Sequence, residues 1–338
     1  MYRITRRKFV EMGAGLALAT SAASYAQVPR PAASFPRPSP AARALMRDAL
    51  DIHTHLDPDS FGPYSTQAAR ALDAIDMAHR ARSARMRGFL IKQHYDQTAQ
   101  LAYLVRKEVP NVEVFGMLCS NLTVGGLNPA AVHHFTEVIG GYARIVSMPT
   151  WDAENNVRQS RTPTRASVSV SRDGVLLPET IAVIEAVARA QIRDSSAKLA
   201  LATGHVSATE ALLVIREARR QGIERIVATH AIGAPINMSM AQMKEAAGLG
   251  AYIEFVAGFL SGERASFTVR QYYDAIREIG PAHVVLSSDG GQANRPFPDD
   301  LIAQAAYQLR ELGLNDAELR TVMIDNPAKL LSLQQGTA

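Results

Sequence analysis

Four of the nine histidines, His53, His55, His205 and His230, stand at the ends of short apolar runs, and Asp289 closes another. The stretches are Asp51-Ile52-His53-Thr54-His55, Thr203-Gly204-His205, Thr229-His230 and Ser287-Ser288-Asp289-Gly290. Residues two apart in a strand share a face, so His53 and His55 point the same way and can meet at one ion. A lone histidine at a strand end is ordinarily capped or solvated, and an aspartate there is ordinarily a turn residue. Five such residues at the same ends of strands one, five, six and eight are a different matter. Imidazole and carboxylate together suit a divalent cation, with Zn2+ first and Mn2+ or Fe2+ as alternatives, one or two ions.

The elements that position them alternate along the chain. The predicted strands are 49–53, 88–93, 112–118, 143–148, 198–203, 225–229, 251–255 and 283–288. They are continuous aliphatic runs, as parallel strands buried on both faces read. The predicted helices are 66–87, 98–107, 129–139, 178–192, 208–221, 239–247, 268–279 and 298–312. Ser207 and Glu210 have capping-box spacing, and Gly222, Gly280 and Gly313 fall at helix ends. Eight strands alternating with eight helices predict an α/β fold, a (β/α)8 TIM barrel, in which chemistry gathers at the C-terminal ends of the strands. A doubly wound sheet would carry a glycine-rich loop after the first strand. This chain has His-Thr-His-Leu-Asp-Pro there instead. The connection after strand four is long. Its alternating segment 166–170, the turn Arg172-Asp173-Gly174 and the segment 175–177 predict a small β-hairpin insertion.

Residues 1–26 read as a signal peptide: a basic start, an apolar run over 12–23, and small residues at Ser24 and Ala26. Thr5-Arg6-Arg7-Lys8-Phe9-Val10 resembles a twin-arginine signal, which implies the twin-arginine export machinery as a partner and a periplasmic or secreted destination. The apolar run is too short to span a bilayer, so no stable membrane span is expected after cleavage. This segment holds four basic side chains against Glu11, so three of the chain's four net positive charges belong to it. The high pI therefore argues for no nucleic-acid partner. Residues 27–47 read as a Pro-rich linker or surface-hugging arm, and 48–335 as the barrel. Cys119 is the only cysteine, so no intrachain disulfide forms. It lies in an apolar run and reads as a core residue. Association into a homo-oligomer is left open by the sequence.

Asp51-x-His53-x-His55, His205, His230, Asp289 and the tail Asn326-Pro327-Ala328-Lys329-Leu330-Leu331 resemble the amidohydrolase superfamily of metal-dependent hydrolases. Gly125-Gly126-Leu127-Asn128-Pro129, Met148-Pro149-Thr150 and Ala202-Thr203-Gly204-His205 are similar, more narrowly, to an amidohydrolase-like family of unknown function. The resemblance implies that His53 and His55 hold one metal. His205 and His230 would hold a second, or one of them would join the first while the other contacts substrate. Asp289 would be ligand and proton acceptor for the attacking water, which a divalent ion makes acidic.

The chain departs from that pattern at strand four, where Met148-Pro149-Thr150-Trp151-Asp152 offers neither Lys nor Glu as a bridge. Lys92 and His94 share parity after strand two. Lys92 is a candidate bridge after carboxylation, a substrate-binding cation or an ion-pair partner. His94 is a candidate further ligand or general acid. Asp152 and Glu254 are weaker bridging or substrate-binding candidates, and Trp151 is a pocket wall or a packing residue. His79, His133, His134 and His283 read as structural. The expected activity is hydrolysis of an amide, lactone or related ester of a small molecule. Phosphoester hydrolysis, with Lys92, Arg161 and Arg165 as cations, and metal-dependent decarboxylation are the alternatives. A non-catalytic binding barrel stands furthest out.

Overall fold

In the computed structural model, which describes residues 35–60, 70–261 and 265–333, eight parallel strands follow one another around a single sheet. They are β1 (Leu50–Thr54), β2 (Gly88–Ile91), β3 (Glu113–Cys119), β4 (Ala143–Ser147), β7 (Ala200–Ala202), β8 (Ile226–Ala228), β9 (Tyr252–Val256) and β10 (Val284–Ser287). The last strand returns to the first through a parallel bridge between Thr54 and Gly290, where the His55 N–H donates to the Gly290 carbonyl at 2.8 Å. The hairpin insertion is present as the antiparallel pair β5 (Ser171–Arg172) and β6 (Val175–Leu176). Its turn residues Asp173 and Gly174 both have positive φ (50° and 77°), the conformation a two-residue hairpin loop requires.

The helices are α1 (Pro40–Ala44), α2 (Ala74–Ser83), α3 (Ala99–Glu108), α4 (Pro129–Thr136), α5 (Glu154–Arg158), α6 (Pro178–Arg189), α7 (Ala208–Arg220), α8 (Met240–Gly248), α9 (Val269–Ile279), α10 (Pro298–Glu311), α11 (Asp316–Arg320) and α12 (Asn326–Leu330). Ser207, Ser239 and Thr268 start α7, α8 and α9 with capping boxes, so each connection from strand to helix ends at a fixed residue. Helix α2 is shorter than the stretch 66–87 that periodicity predicts. Asp73 accepts from the Asp76 N–H and starts α2 at Ala74, while residues 70–73 are tied to Asp57 and Gln292 by bridges. Part of the predicted stretch, 61–69, lies outside the described residues.

The expected signal peptide and the start of the expected linker also lie outside them. Within residues 35–47 the chain hugs the barrel. Ala42 and Met46 are buried, and Arg43 pairs with Asp300 on α10 at 3.2 Å. Among the described residues, no helix is long and apolar enough to cross a membrane.

Two apolar layers hold the barrel. Outward-facing strand residues such as Phe89, Ile91, Leu201 and Ile253 pack against the helices. The interior is filled by Leu50, Ile52, Leu90, Phe115, Ile145, Ala200, Val227 and Val285, with Ala328 and Leu330 of α12 joining them. The alternation puts Leu90, Lys92 and His94 on the inward face in turn. In β1 the register against β2 slips by one residue between Asp51 and Thr54, so Ile52 joins the interior layer while His53, next in sequence, also turns inward.

Candidate metal centre and its cavity

Asp289 lies two residues past the end of β10, with φ of 48°, a left-handed backbone that costs energy for a residue other than glycine. That conformation brings its Oδ1 within 3.0 Å of His55 Nε2 and 3.2 Å of His53 Nε2. Ligand atoms of these three buried residues all lie within 4.8 Å of one another. His230 is strained in the same sense (φ 23°), and its Nε2 lies 3.2 Å from His205 Nε2. The His53 and His230 rings are stacked with centroids 5.9 Å apart, which joins the two groups into one cluster.

Two glycines make the cluster sterically feasible. A Cβ on Gly204 (φ 64°) would lie 2.4 Å from the Met148 carbonyl oxygen, and one on Gly291 (φ 110°) 1.8 Å from that of His55. Only glycine lets the chain turn His205 and His55 into place against neighbouring backbone.

Carboxylates govern one side of the cluster. Glu254 on β9 lies with Oε1 3.0 Å from His53 Nδ1, takes a hydrogen bond from Ser287 Oγ at 2.7 Å, and accepts from the His230 N–H at 2.8 Å through Oε2. Burial works against its charge, but His53 outweighs it and lowers the carboxyl to about 2. Burial and Lys92 push His53 down, while Glu254 and Asp289 more than offset them and raise it to about 9. Burial opposes ionisation of Asp289 too, and His53 and His55 hold it well below the usual carboxylate range. Below the cluster, Asp51 Oδ1 accepts from the His53 and Ser288 N–H groups while its Oδ2 is buried without a partner, and burial raises this carboxyl to about 7.

The remaining imidazoles are neutral. Burial lowers His55, His94 and His205 well below the ordinary imidazole value and His230 to about 4, with Lys92 adding to the effect on all four. Among the described residues, the Nδ1 atoms of His55, His205 and His230 are buried without hydrogen-bond partners. Neutral imidazoles turned toward each other and toward a carboxylate, with buried nitrogens left over, are a donor set that fits a divalent ion.

The remaining sequence candidates fall in different places. Lys92 is buried with Nζ 2.8 Å from His53 Nε2, and not against a carboxylate. Asp152 stands away from the cluster, in a buried ion pair with Arg165 at 2.6 Å. Glu254 supports His53 from behind. His94 and Trp151 line the cavity. His79, His133 and His134 lie on α2 and α4, and His283 precedes β10. Sequence reading did not single out Ser287, which follows Val285 on the inward face, or the buried Arg70–Asp59 pair (2.6 Å) near His55. Parity along β10 could have found Ser287. Nothing in the spacing of Asp59 and Arg70 announces their pairing.

Above the cluster opens a cavity of about 1000 Å3, lined at depth by His55, Lys92, His94, His205, His230 and Asp289. Its mouth is formed by the segment that carries α5 and continues to Arg165, together with Phe259 and Pro235. Arg165 is committed to Asp152, whereas Arg161 at the rim is exposed.

The model of one family, a family of unknown function designated DUF6282, matches residues 48–254. The chain belongs to this family. The DUF6282 match runs from before β1 to Glu254, so it takes in His53, His55, Lys92, His94, His205 and His230 and stops short of Asp289. Comparison with curated proteins found no match. Similar solved structures include an amidohydrolase from Pseudomonas aeruginosa, at 14% identity and a TM-score of 0.57, covering 88% of this chain and 100% of that one. An organophosphorus hydrolase from Deinococcus radiodurans is 14% identical with a TM-score of 0.54, over 88% of this chain and 99% of that one. A third, described as organophosphate hydrolysis activity engineered from a weak promiscuous lactonase template, is 15% identical with a TM-score of 0.56, over 87% and 98%. At these identities the likeness is one of fold, and this DUF6282 member shares the barrel of all three.

Proposed function

We propose that this protein is an exported, metal-dependent hydrolase that activates water to cleave an amide, lactone or related ester bond of a small molecule. The observation that carries the reading is the convergence of His53, His55 and Asp289, with His205 and His230 beside them, at the floor of the cavity on the C-terminal face of the barrel. His53, His55 and Asp289 would hold one ion and His205 and His230 a second, with Zn2+ the best fit to imidazole and carboxylate donors and Mn2+ and Fe2+ next. A bound divalent ion would supply Lewis acidity and lower the pKa of water toward neutrality.

The chain's own residues do the rest. Asp289, kept ionised, takes a proton from the attacking water at Oδ1 or Oδ2 and returns it to the leaving group. Glu254 fixes the His53 ring by holding Nδ1, which leaves Nε2 as the donor atom. His53 otherwise keeps a proton well above neutral pH, so metal and proton compete there. Lys92, against His53 Nε2, is the residue placed to become a bridging ligand by carboxylation, since Asp152 is engaged elsewhere. Residues 1–26 would send the folded protein through the twin-arginine route to the periplasm.

A second reading, phosphoester hydrolysis, is favoured by the exposed Arg161 guanidinium at the rim and by the organophosphate hydrolases among the similar structures. Elemental analysis of the purified protein beside His205→Ala tests the metal reading. About two equivalents of metal falling toward one in the variant is the expected result, and no bound metal after reconstitution would overturn it. Parallel assays on lactones, aryl esters, amides and phosphotriesters separate the two activities.

A further inference from the structure

The cavity wall holds one imidazole that stands outside the converging metal donors. His94 follows β2, with its ring centroid 5.1 Å from that of His55, 5.7 Å from His205 and 5.5 Å from Trp151. Its Nδ1 lies 2.9 Å from Thr150 Oγ1. Which of the two carries the hydrogen in that contact follows from Asn121, a fully buried residue just after β3.

The Asn121 Oδ1 accepts two backbone hydrogen bonds, from Thr150 N at 2.9 Å and Asp152 N at 3.1 Å. Backbone N–H groups only donate, so this amide has a single orientation. Its Nδ2 then donates to the His94 carbonyl at 2.6 Å and to Thr150 Oγ1 at 2.7 Å. Thr150 Oγ1 receives that hydrogen and has one of its own to give. The other acceptor beside it among the described residues is the Cys119 thiol, a weak acceptor that burial keeps protonated. The Thr150 hydrogen therefore goes to His94 Nδ1, the stronger acceptor. A neutral imidazole that accepts at Nδ1 carries its hydrogen at Nε2. His94 lines the cavity, and among the described residues its Nε2 has no protein partner.

We propose that His94 is a tautomer-locked hydrogen-bond donor, presenting Nε2–H to an oxygen atom of the substrate, and is not a metal ligand. Asn121 and Thr150 are the positioning residues that lock it. This rests on the hydrolase reading for the identity of the oxygen, a carbonyl or phosphoryl oxygen on which charge develops. The tautomer itself does not depend on that reading. A ligand nitrogen needs a free lone pair facing the ion, and a protonated Nε2 has none.

The test is NMR of the full chain labelled with 15N at histidine, loaded with Zn2+ and held at neutral pH, with His94→Asn used to assign the His94 signals. Long-range correlations should show the Nε2–H tautomer at His94. Thr150→Val should shift it toward a mixture of tautomers, and Thr150→Ser should restore the wild-type pattern. His94→Asn should keep the full metal content that His205→Ala loses. An Nδ1–H tautomer in the wild-type chain would overturn the relay, whatever the Thr150 variants do. Loss of metal in His94→Asn would overturn the exclusion of His94 from the metal site. Absence of metal from the wild-type chain would instead count against the hydrolase reading, and the metal-free spectrum would still decide the tautomer.

Discussion

The two halves of the histidine cluster are solvated by the protein in opposite ways. On the β1 and β10 side, His53 and His55 meet Asp289, and Glu254 closes the circuit behind His53. On the β7 and β8 side, among the described residues, His205 and His230 have only each other at the ring nitrogens, 3.2 Å apart. The first half is held by charge compensation and the second by burial that keeps both rings neutral. Removing His53 or Asp289 from the first half strands a buried charge. Removing His205 or His230 from the second strands none.

The largest way to break this contrast is Asp289→Asn. It should abolish measurable turnover, about a thousandfold or more on the scale of general-base catalysis, while circular dichroism shows the fold intact. Unchanged turnover would remove Asp289 from the chemistry. Next is His53→Ala, which leaves Glu254 ionised and buried without its partner. It should cost about 3–5 kcal/mol in chemical unfolding of the metal-stripped protein and reduce metal content. His205→Ala should cost clearly less, and equal losses would erase the distinction between the two halves.

A pH series sharpens the same point in the metal-stripped protein. For His230 the folded value is depressed, from 6.5 to about 4. Its contribution is complete above 6.5 and is lost as pH falls through about 4, on the order of 3 kcal/mol. His55, His94 and His205 shift in the same direction and steepen this acid limb. For His53 the folded value is raised, so its contribution is complete below 6.5 and fades as pH rises through about 9. Asp51, raised from 3.8 to about 7, loses its contribution as pH rises through that value. Calorimetry should thus find the highest melting temperature near neutrality, and His230→Gln should flatten the acid limb. The smallest effect expected is that of Arg161→Ala, a severalfold rise in KM confined to anionic substrates, with stability unchanged.

The barrel was legible because its strands are buried on both faces and its helices begin at Ser207, Ser239 and Thr268, residues whose capping role depends only on local spacing. The boundary of α2 was not. Apolar periodicity runs back past Asp73, and the bridges from Asp73 to Asp57 and from Arg70 to Gln292 show that the chain is tied elsewhere before the helix starts. For the candidate site, strand-end position singled out His53, His55, His205, His230 and Asp289, which the fold brings together. The parity argument for His53 did not foresee the register slip in β1 that places Ile52 and His53 on the inward side together. Glu254 was visible only as a weaker bridging or substrate-binding candidate. Its partners were not, because Ser287 and His53 reach it from separate strands. The Asn121–Thr150–His94 relay is the least legible part. It joins loops after three strands through an amide whose orientation is set by backbone atoms.

Trp151 is the chain's only tryptophan, and it stands in the cavity wall with its indole Nε1 buried and unpartnered. All tryptophan emission from this protein therefore originates at the rim of the pocket. A compound that enters changes the polarity around that one fluorophore, whether or not it is turned over. Compound libraries can be screened for occupancy by intrinsic fluorescence alone, before any bond to be cleaved is known.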